Sequence, residues 1–324
     1  MKPEELKEKL TGVLCVMSTP FRQDDEIDEE GLKENTGFLI DKCLNRDFVL
    51  VPTGSTGEFF ALTDEERKKV IKIVIEEANG KLPVIAGTAQ AATKKTLEMS
   101  KYAEDVGADG VMIVIPYYLT PTEEGMYQHF KTVAERINIG VTIYNNPAVS
   151  GAWINPSLMA RLAEIKNVIG VKENTPDVRQ YYAVKRAVGD RIPVLCGLGE
   201  LMFSFEAALG CPGFISGFAN FEPEIPLELY DAAKKADFVR VREIIERLEP
   251  YHAFRAKVVS SRSTTSVLGP YYAKNYTYMN IYKEAMNLVG LHGGTCRPPI
   301  KTVITESERN EFKKILIDLG LPVK

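Results

Sequence analysis

The run Val168-Ile169-Gly170-Val171-Lys172 decides how this chain is read. Four apolar or small residues suit a strand covered on both faces, and a lysine closes it. Seven similar runs recur, at 13–17, 48–52, 83–87, 110–115, 140–144, 193–197 and 213–216. Between them lie stretches of helical period, such as Asp64–Ala78, in which Val70, Ile71, Val74 and Ile75 share one face. Thr63 followed by Glu66 makes a capping box at its start. Residues 93–106 read as a second helix, stopped by Gly107. Eight strands, each followed by a helical crossover, predict an α/β fold of the (β/α)8 TIM-barrel type. A doubly wound open sheet is the alternative, but it usually has fewer strands, and no Gly-x-Gly-x-x-Gly opens a helix here.

After Asn220 the strand pattern stops. Helices are expected over 223–235, 239–248, 282–289 and 306–319. The domain reading is therefore a barrel over 1–222 and a C-terminal helical extension over 223–324. Residues 260–280, rich in Ser, Thr and Tyr, read as a loop or irregular insertion, with Tyr271, Tyr272, Tyr276 and Tyr278 clustered. Such a segment packs either on a neighbouring subunit or over the barrel mouth.

Composition narrows the function. The chain has 324 residues, 45% hydrophobic and 26% charged, with a net charge of -4. This balance carries no footprint for nucleic acid, and no block of like charge points to a membrane surface. No apolar stretch approaches the roughly 20 residues of a membrane span, and the chain starts on charged residues. Five scattered cysteines (15, 43, 196, 211 and 296) read as buried thiols in a reducing cytoplasm. His129, His252 and His292 are far apart and lack ligand spacing, which points away from a metal centre and leaves only carboxylate sites open.

In a barrel of this kind the active site lies at the C-terminal ends of the strands. Four such ends are chemically loaded: Gly54-Ser55-Thr56-Gly57-Glu58, Pro116-Tyr117-Tyr118, Tyr144-Asn145-Asn146-Pro147, and Lys172. Taken singly, each has a bland reading: a glycine turn, a packed tyrosine, a lysine that reaches out to water. Together they offer an amine, phenols to relay protons and a hydroxyl-lined anion nest. Imine chemistry on a 2-oxo acid needs that set.

Those segments, with Thr19-Pro20-Phe21, Gly170-Val171-Lys172-Glu173 and an ending from Lys283-Glu284-Ala285 to Arg297-Pro298-Pro299, resemble the dihydrodipicolinate synthase and N-acetylneuraminate lyase family. These are Schiff-base, pyruvate-handling class I aldolases. The resemblance implies an imine on Lys172, with no cofactor and no metal. Tyr144 is implied as the proton shuttle, and Ser55, Thr56 and Gly57 as the cradle for the pyruvyl carboxylate. Ser55 is implied to link Tyr144 into a relay that Tyr118 completes from across a dimer interface. Gly197 and Ile215 are implied to line the pocket. The family also implies a homotetramer built as a dimer of dimers.

Departures from the family shape the expected substrate. Synthases of the family carry an arginine two residues after the proline of the Tyr-Asn-x-Pro motif, where this chain has Val149. Valine cannot make a bidentate pair with a carboxylate, which disfavours aspartate semialdehyde as substrate. The lyases carry an acidic pair after strand 7; here only Glu200 matches and Gly199 fills the other place. Asn174 and Glu200 are candidates for substrate hydroxyls. The expected activity is retro-aldol cleavage of a 2-keto-3-deoxy sugar acid or similar hydroxy-2-oxo acid, releasing pyruvate. Dehydration of such an acid is the alternative, since Glu58-Phe59-Phe60 resembles ketodeoxyglucarate dehydratases. A sugar-acid sensor without catalysis would not need the imine set, and a metal-dependent aldolase would need more clustered ligands.

Overall fold

The computed structural model describes residues 1–268 and 276–324. Eight parallel strands form the barrel: β1 (Gly12–Val16), β2 (Phe48–Val51), β3 (Ile85–Gly87), β4 (Gly110–Val114), β5 (Gly140–Asn145), β6 (Val168–Glu173), β7 (Val194–Cys196) and β8 (Gly213–Ser216). They lie in the order β2-β1-β8-β7-β6-β5-β4-β3. A bridge between Leu50 and Val84 joins the two ends. There Leu50 N–H donates to Pro83 O and Gly87 N–H to Pro52 O, both at 2.9 Å. The fold is the expected TIM barrel. Every strand residue is buried, as continuous Val/Ile runs covered on both faces require.

Thirteen α-helices surround the strands: α1 (Pro3–Glu8), α2 (Glu29–Cys43), α3 (Asp64–Ala78), α4 (Thr93–Asp105), α5 (Glu123–Ala134), α6 (Pro147–Ser150), α7 (Pro156–Leu162), α8 (Val178–Val188), α9 (Glu200–Ala207), α10 (Glu224–Lys234), α11 (Phe238–Ser260), α12 (Thr277–Val289) and α13 (Glu306–Asp318), counted among the described residues. Helix α3 begins with the capping box read from Thr63 and Glu66. Helix α1 and the residues after it close the N-terminal mouth, with Leu6 against Gly110 and Leu10 against Gly170. Among the described residues, no helix is long and apolar enough to cross a membrane.

Two helices exceed their sequence-based bounds. Helix α11 runs through Pro250 to Ser260, although a proline costs a helix interior about 3 kcal/mol. Burial outweighs that cost: Phe254 stacks on Phe312 at 4.7 Å, and Tyr251 meets Phe218 edge-on at 4.9 Å. Each such side chain contributes about 1.5–3 kcal/mol when removed from water. Helix α12 begins at Thr277, so Tyr276 and Tyr278 lie at a helix start and not in an irregular insertion. Tyr271 and Tyr272 lie outside the described residues.

A buried ion pair fastens this C-terminal part to the barrel. Lys283 of α12 is paired with Glu58, which follows β2, and both are almost wholly buried. The ammonium also donates to Thr295 O at 2.9 Å and lies 4.3 Å from the centroid of Phe21. Arg297 N–H donates to the Glu58 carboxylate at 2.9 Å, and its guanidinium grips both oxygens of Glu66, at 2.9 and 2.6 Å. Three segments distant in sequence thus meet around one carboxylate. We expect Lys283→Ala to lower unfolding free energy by about 3–5 kcal/mol, read by urea denaturation, because it strands the Glu58 charge. The double replacement of Lys283 and Glu58 by methionine should be much less damaging.

Behind the sheet two carboxyls are shielded from water. Burial pushes Glu173 on β6 up to about 7 and Glu206 on α9 up to about 8. Between the ordinary carboxyl range and those values the folded protein holds protons that the unfolded chain has lost. Stability therefore falls as pH rises through that window. His129 and His252, pushed down to about 4 by burial, act in the opposite sense, but only below the ordinary histidine range near 6.5. From about pH 6.5 to 8 the falling slope should remain, at most about 1.4 kcal/mol per pH unit for each group. Glu206→Gln should flatten it, measured as urea midpoints at the two pH values.

Candidate active site

The register of β5 on β6 brings the amine and the phenol together. An irregularity between Val141 and Thr142 shifts the pairing by one residue, so Tyr144 lies beside Lys172 and Asn145 beside Glu173. Neighbours along a strand face opposite sides. The Asn145–Glu173 side is the outer one: Asn145 Nδ2 donates to Glu173 Oε2 at 2.8 Å and to Ile154 O at 3.0 Å, and Thr175 N–H donates to Glu173 Oε1 at 3.2 Å. Tyr144 and Lys172 consequently face the lumen, with Lys172 Nζ 3.7 Å from the Tyr144 ring centroid. They are only 7% and 4% exposed.

The phenol is held from two sides. Asn146 Nδ2 donates to Tyr144 Oη at 2.7 Å, and Ser55 lies within hydrogen-bonding reach of the same oxygen. Burial drives the Tyr144 pKa well up, and these two hydrogen bonds pull it partly back. Ser55 and buried Thr56 belong to a loop with two non-glycine residues in the left-handed region, Thr53 at φ 54° and Glu58 at φ 55°. Such backbone is costly, above all for a β-branched residue, and needs outside support. Thr53 Oγ1 supplies some by donating to Gly87 O at 2.9 Å, and Thr19 Oγ1 by donating to Gly57 O at 2.8 Å. The Lys283–Glu58 pair anchors the end of the loop, where Glu58 N–H also donates to Ser55 O at 3.0 Å.

The remaining sequence candidates fall into different surroundings. A Cβ on Gly197 would lie 2.6 Å from both Asn174 Oδ1 and Glu173 O, so only glycine admits Asn174 there. Asn174 is buried, with its N–H donating to Asn145 O at 2.9 Å, and is not a solvated loop residue. Ile215 is buried on β8. Glu200 is buried at the start of α9, its Oε1 accepting from Ser216 Oγ at 2.5 Å. Val149 sits half-buried on α6 and packs on the core. Tyr118 is 80% exposed beside the equally open Leu119, so one chain alone does not fold it into the pocket. Among the described residues, no three His, Cys, Asp or Glu side chains are grouped to hold a metal ion.

Sequence reasoning missed the wall supplied by α11 and α12. Tyr278 meets Tyr282 edge-on at 5.5 Å, and burial pushes its pKa up. Arg255 Nη1 donates to Tyr282 Oη at 3.1 Å. The tyrosine-rich composition was the only available signal, and it does not reveal which rings pack on one another.

Comparison with known proteins finds relatives over almost the whole chain. Residues 9–319 match the model of the dihydrodipicolinate synthetase family. A 4-hydroxy-tetrahydrodipicolinate synthase of Methanopyrus kandleri is 36% identical over 95% of this chain and 97% of its own length. One from Methanocaldococcus jannaschii is also 36% identical, over 96% of this chain and 99% of its own. The crystal structure of dihydrodipicolinate synthase from Aquifex aeolicus superposes with a TM-score of 0.84 at 32% identity, covering 97% of this chain and all of that one. A structure described as a monomeric dihydrodipicolinate synthase variant superposes at 0.82 with 30% identity, covering 97% and 98%. The chain belongs to the dihydrodipicolinate synthetase family and is a lyase of the class I aldolase type.

Proposed function

We propose that the protein forms an imine between Lys172 and a hydroxy-2-oxo acid and cleaves it by retro-aldol chemistry, releasing pyruvate. The observation that carries this reading is the buried Lys172 amine set against Tyr144, beside the Ser55-Thr56 loop. The amine adds to the C2 carbonyl and water leaves. The Tyr144 relay takes the proton of the C4 hydroxyl, the C3–C4 bond breaks, and its electron pair enters the iminium to give an enamine. Protonation at C3 and hydrolysis return pyruvate and the free lysine. Ser55, Thr56 and Gly57 receive the pyruvyl carboxylate, with Gly197, Ile215 and Asn174 shaping the floor. No metal or cofactor takes part in these steps.

The exposed Tyr118 fits a role in the neighbouring subunit of a homotetramer, where it would complete the relay to Tyr144. The five buried free cysteines suit a reducing cytoplasm. The names of the relatives favour a second reading, condensation of pyruvate with aspartate semialdehyde. Val149 speaks against it, since it offers no donor to that aldehyde's carboxylate.

Borohydride reduction in the presence of pyruvate should add a reduced pyruvyl group to Lys172, located by peptide mass mapping. Lys172→Ala should give no adduct while keeping its unfolding midpoint near that of the wild type; an adduct on the variant would sink the imine assignment. Tyr144→Phe should still be trapped but lose roughly 10²–10⁴-fold in turnover, as expected for a lost proton carrier.

A further inference from the structure

Asn146 takes no step in the imine reaction, yet its side chain rests on the phenol that carries the protons. It follows β5 in extended backbone, at φ -135° and ψ 92°. Residues two apart on such backbone share a face, which sets Asn146 beside Tyr144. The side chain is buried, and the main chain is held by the turn of α6, where Ser150 Oγ donates to Asn146 O at 2.7 Å. The neighbouring Asn145 turns its amide the other way, to Glu173 and Ile154.

The Asn146 amide has only one way round. Ala148 N–H, which can only donate, meets Asn146 Oδ1 at 3.1 Å. The amide nitrogen is therefore the group that faces Tyr144 Oη, at 2.7 Å, and it has hydrogens to give and none to receive. A phenol hydrogen lies near the ring plane, on one side of the oxygen or the other. With a donor on one side it turns to the other, where Ser55 is within hydrogen-bonding reach. When the phenol gives its proton away, the same amide meets the charge that develops on Oη.

We propose that Asn146 is a positioning residue that sets the direction of proton travel through Tyr144. As a donor to Oη it leaves the phenol hydrogen directed at Ser55 and not at the turn of α6. This rests on the reading of Lys172 as the imine former and of Tyr144 as its proton carrier. With pyruvate, the step served is the reverse of the protonation that ends the cleavage. The C3–H bond of the iminium breaks, and its electron pair forms the C2–C3 double bond. The C–N π pair settles on nitrogen, and the proton passes to the Tyr144 relay. In heavy water, the return of a deuteron leaves deuterium at C3.

Exchange of the pyruvate methyl hydrogens for deuterium, followed by proton NMR, reads that step. Asn146→Ser keeps an oxygen for the Ala148 N–H but is too short to reach the phenol. Asn146→Asp keeps the shape and puts an acceptor where the donor was. Each should slow exchange at saturating pyruvate about tenfold or more, with the half-saturating concentration within about twofold of the wild type. In the Tyr144→Phe background, assayed at high enzyme concentration, Asn146→Ser should change the rate by less than about twofold, because its effect passes through the phenol oxygen. The inference is overturned if exchange at saturation is unmoved in whichever variant folds, if only the half-saturating concentration moves, or if the slowing is the same with and without the phenol. Equal exchange by the wild type and Tyr144→Phe would remove the proton-carrier reading, and failure of borohydride to trap pyruvate on Lys172 would remove the imine reading. Either result takes this inference with it.

Discussion

The Lys283–Glu58 ion pair is the contact on which the loop from Thr53 to Glu58 depends. Thr53 and Glu58 adopt a backbone that neither a threonine nor a glutamate favours, and a turn closed by Glu58 N–H donating to Ser55 O at 3.0 Å lies between them. Glu58 is wholly buried, so its charge must be met by a cation that is also buried, and Lys283 meets it from α12. The Arg297 N–H occupies the other carboxylate oxygen, and the Phe21 ring lies against both cations. The orientation of Ser55 and Thr56 is thus set by residues more than two hundred positions away in the chain.

A second economy runs along β5 and β6. The two-residue period of a strand gives Tyr144 and Lys172 to the lumen and Asn145 and Glu173 to the helices behind. The outward pair makes its hydrogen bonds to each other and to neighbouring backbone, which holds the strands in the one register that aligns the inward pair. Chemistry and its support are therefore written in alternate letters of the same segments.

The barrel was legible because its signals are local. Each strand is a short apolar run, and the 64–78 helix announces itself by period and capping box. Lys172, Tyr144 and the Gly54–Glu58 loop were legible for the same reason, as each is a chemical departure at a strand end. The reach of α11 was not, because Pro250 is a local stop that distant aromatic packing overrides. Nor was the packing of Arg255 against Tyr282, since a helix carrying five arginine and lysine residues gives no sign of which one turns inward. Glu200 was read as facing substrate hydroxyls; its bond to Ser216 was invisible because sixteen residues of chain separate the partners.

The distance between Glu58 and Arg297, 239 residues apart, bears on the order in which the molecule is made. A ribosome releases β1 to β8 before it has synthesised either Lys283 or Arg297, and domains begin to organise from their N-terminal end. The growing chain can therefore assemble its sheet while the carboxylate of Glu58 still lacks its cation and the loop around Ser55 has no fixed shape. Completion of the cradle waits for the last tenth of the polypeptide. Lys172 is in this way made before the last contacts around the Ser55 loop, and an interrupted product would carry its amine beside an incomplete loop.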